Sequence, residues 1–186
     1  MSNTFSNKIT LGMKAPYFKL RDYNFGELVS LDKNKGEKGT LIMFICNHCP
    51  FVKRIIPILI KITNKFIKEG ISFIAINSND VNQYPEDSPK KMNKIAIKNK
   101  YPFFYLFDET QEIAKKYLAV CTPDFYLFDK KLKLVYHGQI DDSRPGNNIP
   151  ITGNDLYNAI KNLIEGKFYS INQKPSLGCS IKWKKK

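Results

Sequence analysis

The sequence predicts an α/β protein: a central mixed β-sheet with helices on both faces, an N-terminal β-hairpin before it and a C-terminal tail after it. Three observations predict it. Apolar, β-branched runs at residues 41–45 and 71–76, and an aromatic run at 103–107, alternate with segments 50–68, 89–99 and 109–118, which read as helices. That alternation builds strands joined by helical crossovers, the first of them right-handed. Two further strand-like runs, 125–128 and 132–136, are separated only by a short Asp129-Lys130-Lys131 turn, which marks a hairpin.

The elements follow in order. Phe18 and Leu20 alternate with polar neighbours, as do Leu28 and Ser30, and the turn-forming stretch 22–26 lies between them. A charged loop over 32–39 leads to the first buried strand. In the next helix Ile55, Ile58, Leu59, Ile62, Phe66 and Ile67 recur at helical spacing. Pro57 removes a backbone donor there and crowds the carbonyl of Lys53. A kink is expected rather than a stop, because the apolar spacing resumes at Ile58. Gly70 is the expected helix end, and Pro89 suits the first turn of the following helix. Leu156, Ile160, Leu163 and Ile164 make 153–166 a final amphipathic helix. The tail keeps apolar residues as far as Trp183, so it is expected to dock on the body. The expected division is an extension over 1–8, one domain over 9–168 and a tail over 169–186.

The chain has 186 residues, 42% of them hydrophobic, enough for one packed core. Its net charge is +13, from 30 Lys and Arg against 17 Asp and Glu. The lysines are scattered, and the only dense cluster is at 182–186. That pattern reads as a solvated basic surface, and a nucleic-acid partner is not expected. The N-terminus shows no apolar signal-peptide core, and no run reaches the roughly 18–20 apolar residues of a membrane span. A cytoplasmic protein without a membrane partner is therefore expected. Thiols stay reduced there, so the four cysteines read as chemistry rather than staples.

That chemistry centres on Cys46-Asn47-His48-Cys49, at the turn between the first buried strand and its helix. A helix N-terminus offers free N–H groups and a positive dipole end, which favour a thiolate. Two thiols at this spacing can close into a disulfide, one attacking and the other resolving. A zinc half-site is the competing reading. It needs a second ligand pair, and Cys121, His137 and Cys179 supply no close one. No cofactor or metal is expected.

On these residues the chain resembles the thioredoxin superfamily, and more closely its peroxiredoxin-like branch, the redoxins related to alkyl hydroperoxide reductase and thiol-specific antioxidant. Gly12, Ala15, Pro16, Phe18, Leu20 and Asp22 are similar to the peroxiredoxin N-terminal hairpin. Cys46 and Cys49 stand where thioredoxins carry their dithiol. Thr122-Pro123 before a strand resembles the thioredoxin loop with a cis proline. The segments Asn47-His48-Cys49-Pro50, Asp141-Asp142-Ser143-Arg144-Pro145 and 178–183 resemble a subgroup of peroxiredoxin-like proteins. The resemblance implies a thioredoxin-like fold, with the Thr122-Pro123 loop against the dithiol and the backbone of Thr122 able to pair with a bound peptide. Cys121 would then lie near the site, as a buried small side chain or as a third redox thiol. Cys179 is either a resolving thiol carried by the tail or an inert residue. The chain departs from the peroxiredoxin pattern Pro-x-x-x-Thr/Ser-x-x-Cys: Ile42 stands at the proline, Cys46 at the Thr/Ser, and the arginine position falls near Pro123.

The leading expectation is a thiol–disulfide oxidoreductase in which Cys46 attacks, Cys49 resolves, and His48 lowers the Cys46 pKa. Its partners would be protein or small-molecule disulfides, with a cellular thiol reductant. The alternative is an antioxidant thiol peroxidase that oxidises Cys49 and then condenses it with Cys46, its substrates being peroxides. A lesser alternative is a non-enzymatic zinc- or polyanion-binding module. Asp141, Asp142 and Arg144 are expected to form a loop network rather than a substrate site.

Overall fold

The computed structural model describes residues 3–167 and 173–185. The boundary expected at 168–169 lies outside them. The central sheet is made of β4 (Gly39–Phe44), β5 (Ile71–Asn77), β6 (Phe104–Phe107), β8 (Asp124–Asp129) and β9 (Leu134–Gly138), in the order β6-β5-β4-β8-β9. β4, β5 and β6 run parallel, while β8 pairs antiparallel with both β4 and β9. The sheet is therefore mixed, for the expected reason: long crossovers join the parallel strands, and a tight turn joins β8 to β9.

β4 is buried on both faces and shows how the two cores form. Leu41 and Met43 face one cluster, with Phe51, Ile55, Leu59 and Ile62 of α2 (Pro50–Phe66), Met92 and Ala96 of α3 (Pro89–Asn99), and Leu156 and Ile160 of α5 (Asn154–Ile164). Ile42 and Phe44 face the other, with Ile113 and Ala114 of α4 (Glu112–Lys116), Tyr117, and Phe18 and Val29 from the N-terminal hairpin. The period-2 alternation of a strand splits its apolar residues between two layers. The hairpin itself pairs β2 (Lys19–Arg21) with β3 (Leu28–Ser30), and the short α1 (Leu31–Asn34) follows it.

α2 runs unbroken through Pro57, which lies on its exposed side. A short 3-10 turn, Ile67–Glu69, extends the helix to Gly70, whose φ of 90° is a left-handed conformation that glycine adopts without strain. α4 is shorter than the predicted 109–118. The buried carboxyl of Asp108 accepts hydrogen bonds from the N–H groups of Ile113 and Ala114, and Leu118 takes a positive φ of 55°. These contacts start and stop the helix inside the predicted span.

The two chain ends meet. β1 (Asn3–Phe5), β10 (Leu177–Ser180) and β7 (Cys121–Thr122) form a separate three-stranded antiparallel sheet with β10 in the middle. Among the described residues no helix is long and apolar enough to cross a membrane.

Candidate active site

Cys46 and Cys49 lie just beyond the carboxyl end of β4, where ligand sites of open α/β sheets gather. The backbone leaves the sheet as Ile45 N–H donates to Ile76 O, and Cys49 becomes the N-cap of α2 with Pro50 at the first helical position. Both thiols are buried, Cys46 at 2% exposure and Cys49 at 0%.

The Thr122-Pro123 loop closes on the pair from the far side. Its peptide bond is cis. Thr122 touches both sulfurs: its Oγ1 is 3.4 Å from Cys46 Sγ, and its carbonyl is 3.2 Å from Cys49 Sγ.

The segment between the cysteines is clamped by Asp87, a fully buried residue after β5. Its Oδ1 accepts from the backbone N–H of Asn47 at 2.7 Å and of His48 at 3.2 Å. Its Oδ2 accepts from His48 Nδ1 at 2.5 Å and from Asn79 Nδ2 at 2.8 Å. Asn47 is held in turn by the Tyr105 hydroxyl and by Glu86 O. The His48 ring stacks on Tyr84 with centroids 4.7 Å apart, and its buried Nε2 has no hydrogen-bond partner among the described residues. Sequence reading left Asp87 inside a polar loop. A signal was present in Asp87, bracketed by Pro85 and Pro89 and preceded by Asn77 and Asn79, but nothing local links that loop to the dithiol.

These contacts separate the two thiols. Cys49 is held well below the usual thiol range, because the Cys179 thiol, the Cys46 thiol and the Val52 N–H all hydrogen-bond to its sulfur. Cys46 is pushed well up, by burial first, then by its bond to Cys49 and the nearby Asp87 charge. His48 Nδ1, expected to lower the Cys46 pKa, lies 3.7 Å from Cys46 Sγ and 2.5 Å from Asp87 Oδ2. The helix N-terminus serves the N-cap sulfur, which is Cys49. The reduced protein should therefore keep one thiolate below the ordinary thiol pKa of about 8.5. Its ultraviolet thiolate absorbance should persist there, fade on acidification and vanish in Cys49→Ser. A depressed folded pKa also makes Cys49 a stabilising group above about pH 8.5, a contribution lost as pH falls towards the folded value.

The other sequence candidates divide. Cys179 sits at the site as a free thiol, hydrogen-bonded to Cys49. Cys121 is fully buried, and burial pushes its thiol up, as expected of a small core side chain. His137 pairs with Asp124 at 3.1 Å in a buried cluster with Tyr126. Arg144 lines a cavity with Pro123 and Phe51, but its guanidinium is spent on Asp141 O, Ser143 O and Gln139. The Asp141 carboxyl accepts from Ser143, Thr152 and Gly153, which is a loop network. Among the described residues one group has metal-donor spacing, Cys46, His48 and Asp87, with donor atoms within 4.8 Å of one another. Its His48 and Asp87 donors are already turned on each other.

A strand-to-helix dithiol facing a cis-proline loop, on a mixed sheet with helices on both faces, defines a thioredoxin-fold redoxin. The AhpC/TSA family model matches residues 11–137, and the chain belongs to that family. Two solved structures are similar over nearly the whole chain. One is an uncharacterized conserved protein from Geobacillus kaustophilus, 54% identical over 99% of this chain and 97% of that one, with a TM-score of 0.96. The other is a hypothetical protein from Sinorhizobium meliloti 1021, 44% identical over 97% and 98%, with a TM-score of 0.94. The thioredoxin domain of a thiol-disulfide oxidoreductase from Bacteroides vulgatus shares the fold at 22% identity and a TM-score of 0.66, covering 84% of this chain and 99% of that one. No curated protein matches.

Proposed function

We propose that the protein is a thiol–disulfide oxidoreductase working through Cys46 and Cys49. The observation that carries this reading is the convergence of both sulfurs on Thr122, whose carbonyl accepts from the Cys49 thiol, with Cys49 the more acidic of the pair. A thiolate is the attacking species in disulfide exchange, so the roles are reversed from the order expected on sequence alone. Cys49 Sγ attacks one sulfur of the substrate disulfide, and the other leaves as a thiol. Cys46 then gives up its proton and attacks Cys49 Sγ. This closes the Cys46–Cys49 bond and releases the second substrate thiol. A thiol reductant returns the dithiol.

The same thiolate would begin a peroxidase reaction, in which a peroxide oxygen passes to Cys49 and Cys46 condenses with the sulfenic acid, releasing water. Family membership favours keeping that reading. Against it, the peroxiredoxin arginine position falls near Pro123 in this chain, and the Arg144 guanidinium is bonded to its own loop.

The deciding experiment measures thiol-driven reduction of a disulfide and of hydrogen peroxide by the wild type, Cys46→Ser and Cys49→Ser. Each substitution should lower disulfide turnover by more than about 100-fold, since the two thiols act as one catalytic unit. Full disulfide reductase activity in either variant refutes the assignment. Peroxide consumption no faster than a free thiol's removes the peroxidase reading.

A further inference from the structure

The edge beside Thr122, where the thioredoxin resemblance implies that a peptide would pair, is taken by the chain's own tail. β10 lies antiparallel to β7, with Cys179 directly opposite Thr122 and Ser180 opposite Cys121. Residues directly opposite in such a pair point to the same face, with Cβ atoms about 4.5–5.5 Å apart. Thr122 points its Oγ1 at Cys46, so Cys179 is on the dithiol face as well, and its free thiol is hydrogen-bonded to Cys49. Cys179 is buried in the same cluster as Cys46 and Cys49.

The approach is built to be close. A Cβ on Gly178 would lie 2.0 Å from the carbonyl oxygen of Thr122 and 3.1 Å from the Pro123 ring, so only glycine lets β10 sit there. Further on, the tail is fastened at several points. Ile181 N–H donates to Val120 O, Lys182 N–H to Asn79 Oδ1, and Asp80 N–H to Lys182 O. Lys182 also places its ammonium 5.4 Å from the centre of the Tyr84 ring that stacks on His48.

We propose that β10 docks as an intramolecular stand-in for a peptide substrate, and that Cys179 is a third exchange thiol which forms a disulfide with Cys49. The proposal rests on Cys49 being the attacking thiol of the dithiol. After closure of the Cys46–Cys49 bond, Cys179 gives up its proton and its sulfur attacks Cys49 Sγ. The Cys49–Cys179 bond forms, the Cys46–Cys49 bond breaks, and Cys46 leaves with the electron pair and takes up the proton. The number of disulfides is unchanged, so no further oxidant is consumed. Where Cys49 instead carries half of a small disulfide, the same attack expels that half as a thiol.

The test uses the full chain, reduced and then treated with oxidised glutathione. It is quenched in acid and alkylated, and its disulfides are mapped by mass spectrometry. In the wild type a Cys49–Cys179 bond is expected beside the Cys46–Cys49 bond. In Cys46→Ser the Cys49–Cys179 bond should be the sole product, with both glutathione halves released. Gly178→Ala in that background should shift the product towards glutathione held on Cys49. The proposal is overturned if no Cys49–Cys179 bond appears in the wild type and Cys46→Ser stops at a Cys49–glutathione adduct with Cys179 fully alkylated. That outcome leaves the dithiol reading standing. Glutathione found on Cys46 with Cys49 unmodified overturns both.

Discussion

Cys46→Ser/Cys179→Ser, treated with oxidised glutathione, should accumulate a stable mixed disulfide on Cys49, whereas Cys49→Ser should accumulate none on Cys46 over the same time. The difference follows from which sulfur is ionised. Cys49 caps α2 and collects hydrogen bonds from Cys179, Cys46 and the Val52 N–H. Cys46 is buried beside the Asp87 charge, with its proton shared towards Cys49. The double variant replaces two thiol donors to Cys49 by hydroxyl donors, and the helix N-terminus remains, so the Cys49 thiolate stays favoured. The expected contrast is at least about tenfold in adduct formation, the factor carried by one pKa unit of thiolate population. Peptide mapping after acid quenching reads the result. An adduct on Cys46 in Cys49→Ser, formed as fast as the wild type reacts, would return the attacking role to Cys46.

Asp87→Ala should be the most damaging single change outside the thiols, costing about 3–5 kcal/mol, the range for breaking a buried charge-assisted cluster by removing one partner. Four donors lose their acceptor: the N–H groups of Asn47 and His48, the His48 ring and the Asn79 amide. The Asn47 and Asn79 donors are buried and the His48 donors partly so, and a buried unsatisfied donor costs about 1–3 kcal/mol before the structure relaxes. Asp87→Asn should lose less, because its shape fits and one carbonyl oxygen remains, but its amide must face one of the four donors. Urea unfolding of reduced protein measures both variants. Asp87 touches no reacting atom. Its effect on catalysis should appear as a loss of dithiol closure, read as slower formation of the Cys46–Cys49 bond at unchanged rate of first attack. A cost of Asp87→Ala within about 0.5 kcal/mol, the usual range for surface changes, would strip it of this role.

The fold was legible because its signals are local. The apolar runs that became β4 and β5 alternate with segments that became α2 and α3, and their period and punctuation suffice to assign them. Pro89 opens α3 and Gly70 closes the α2 segment where sequence placed them. The sequence missed the ends of α4, where the Asp108 carboxyl decides the first turn, and it missed the short α1 and the β1-β10-β7 sheet, whose pairing joins distant parts of the chain. The order of the dithiol in the chain was equally legible, since a strand, a turn and a helix are consecutive in sequence.

What sequence by itself determined, then, is the sheet with its crossovers, the hairpin at each end of the core, and two thiols at a helix N-terminus, with the Thr122-Pro123 loop against them implied by the family resemblance. The tertiary structure alone decided which groups surround each thiol, what clamps the turn between them and what lies over them. Those depend on burial and on hydrogen bonds with Asp87, Thr122 and Cys179, which arrive from three other parts of the chain. A pKa is set by the desolvation and donors around a sulfur in space, and spacing along the chain carries no record of either.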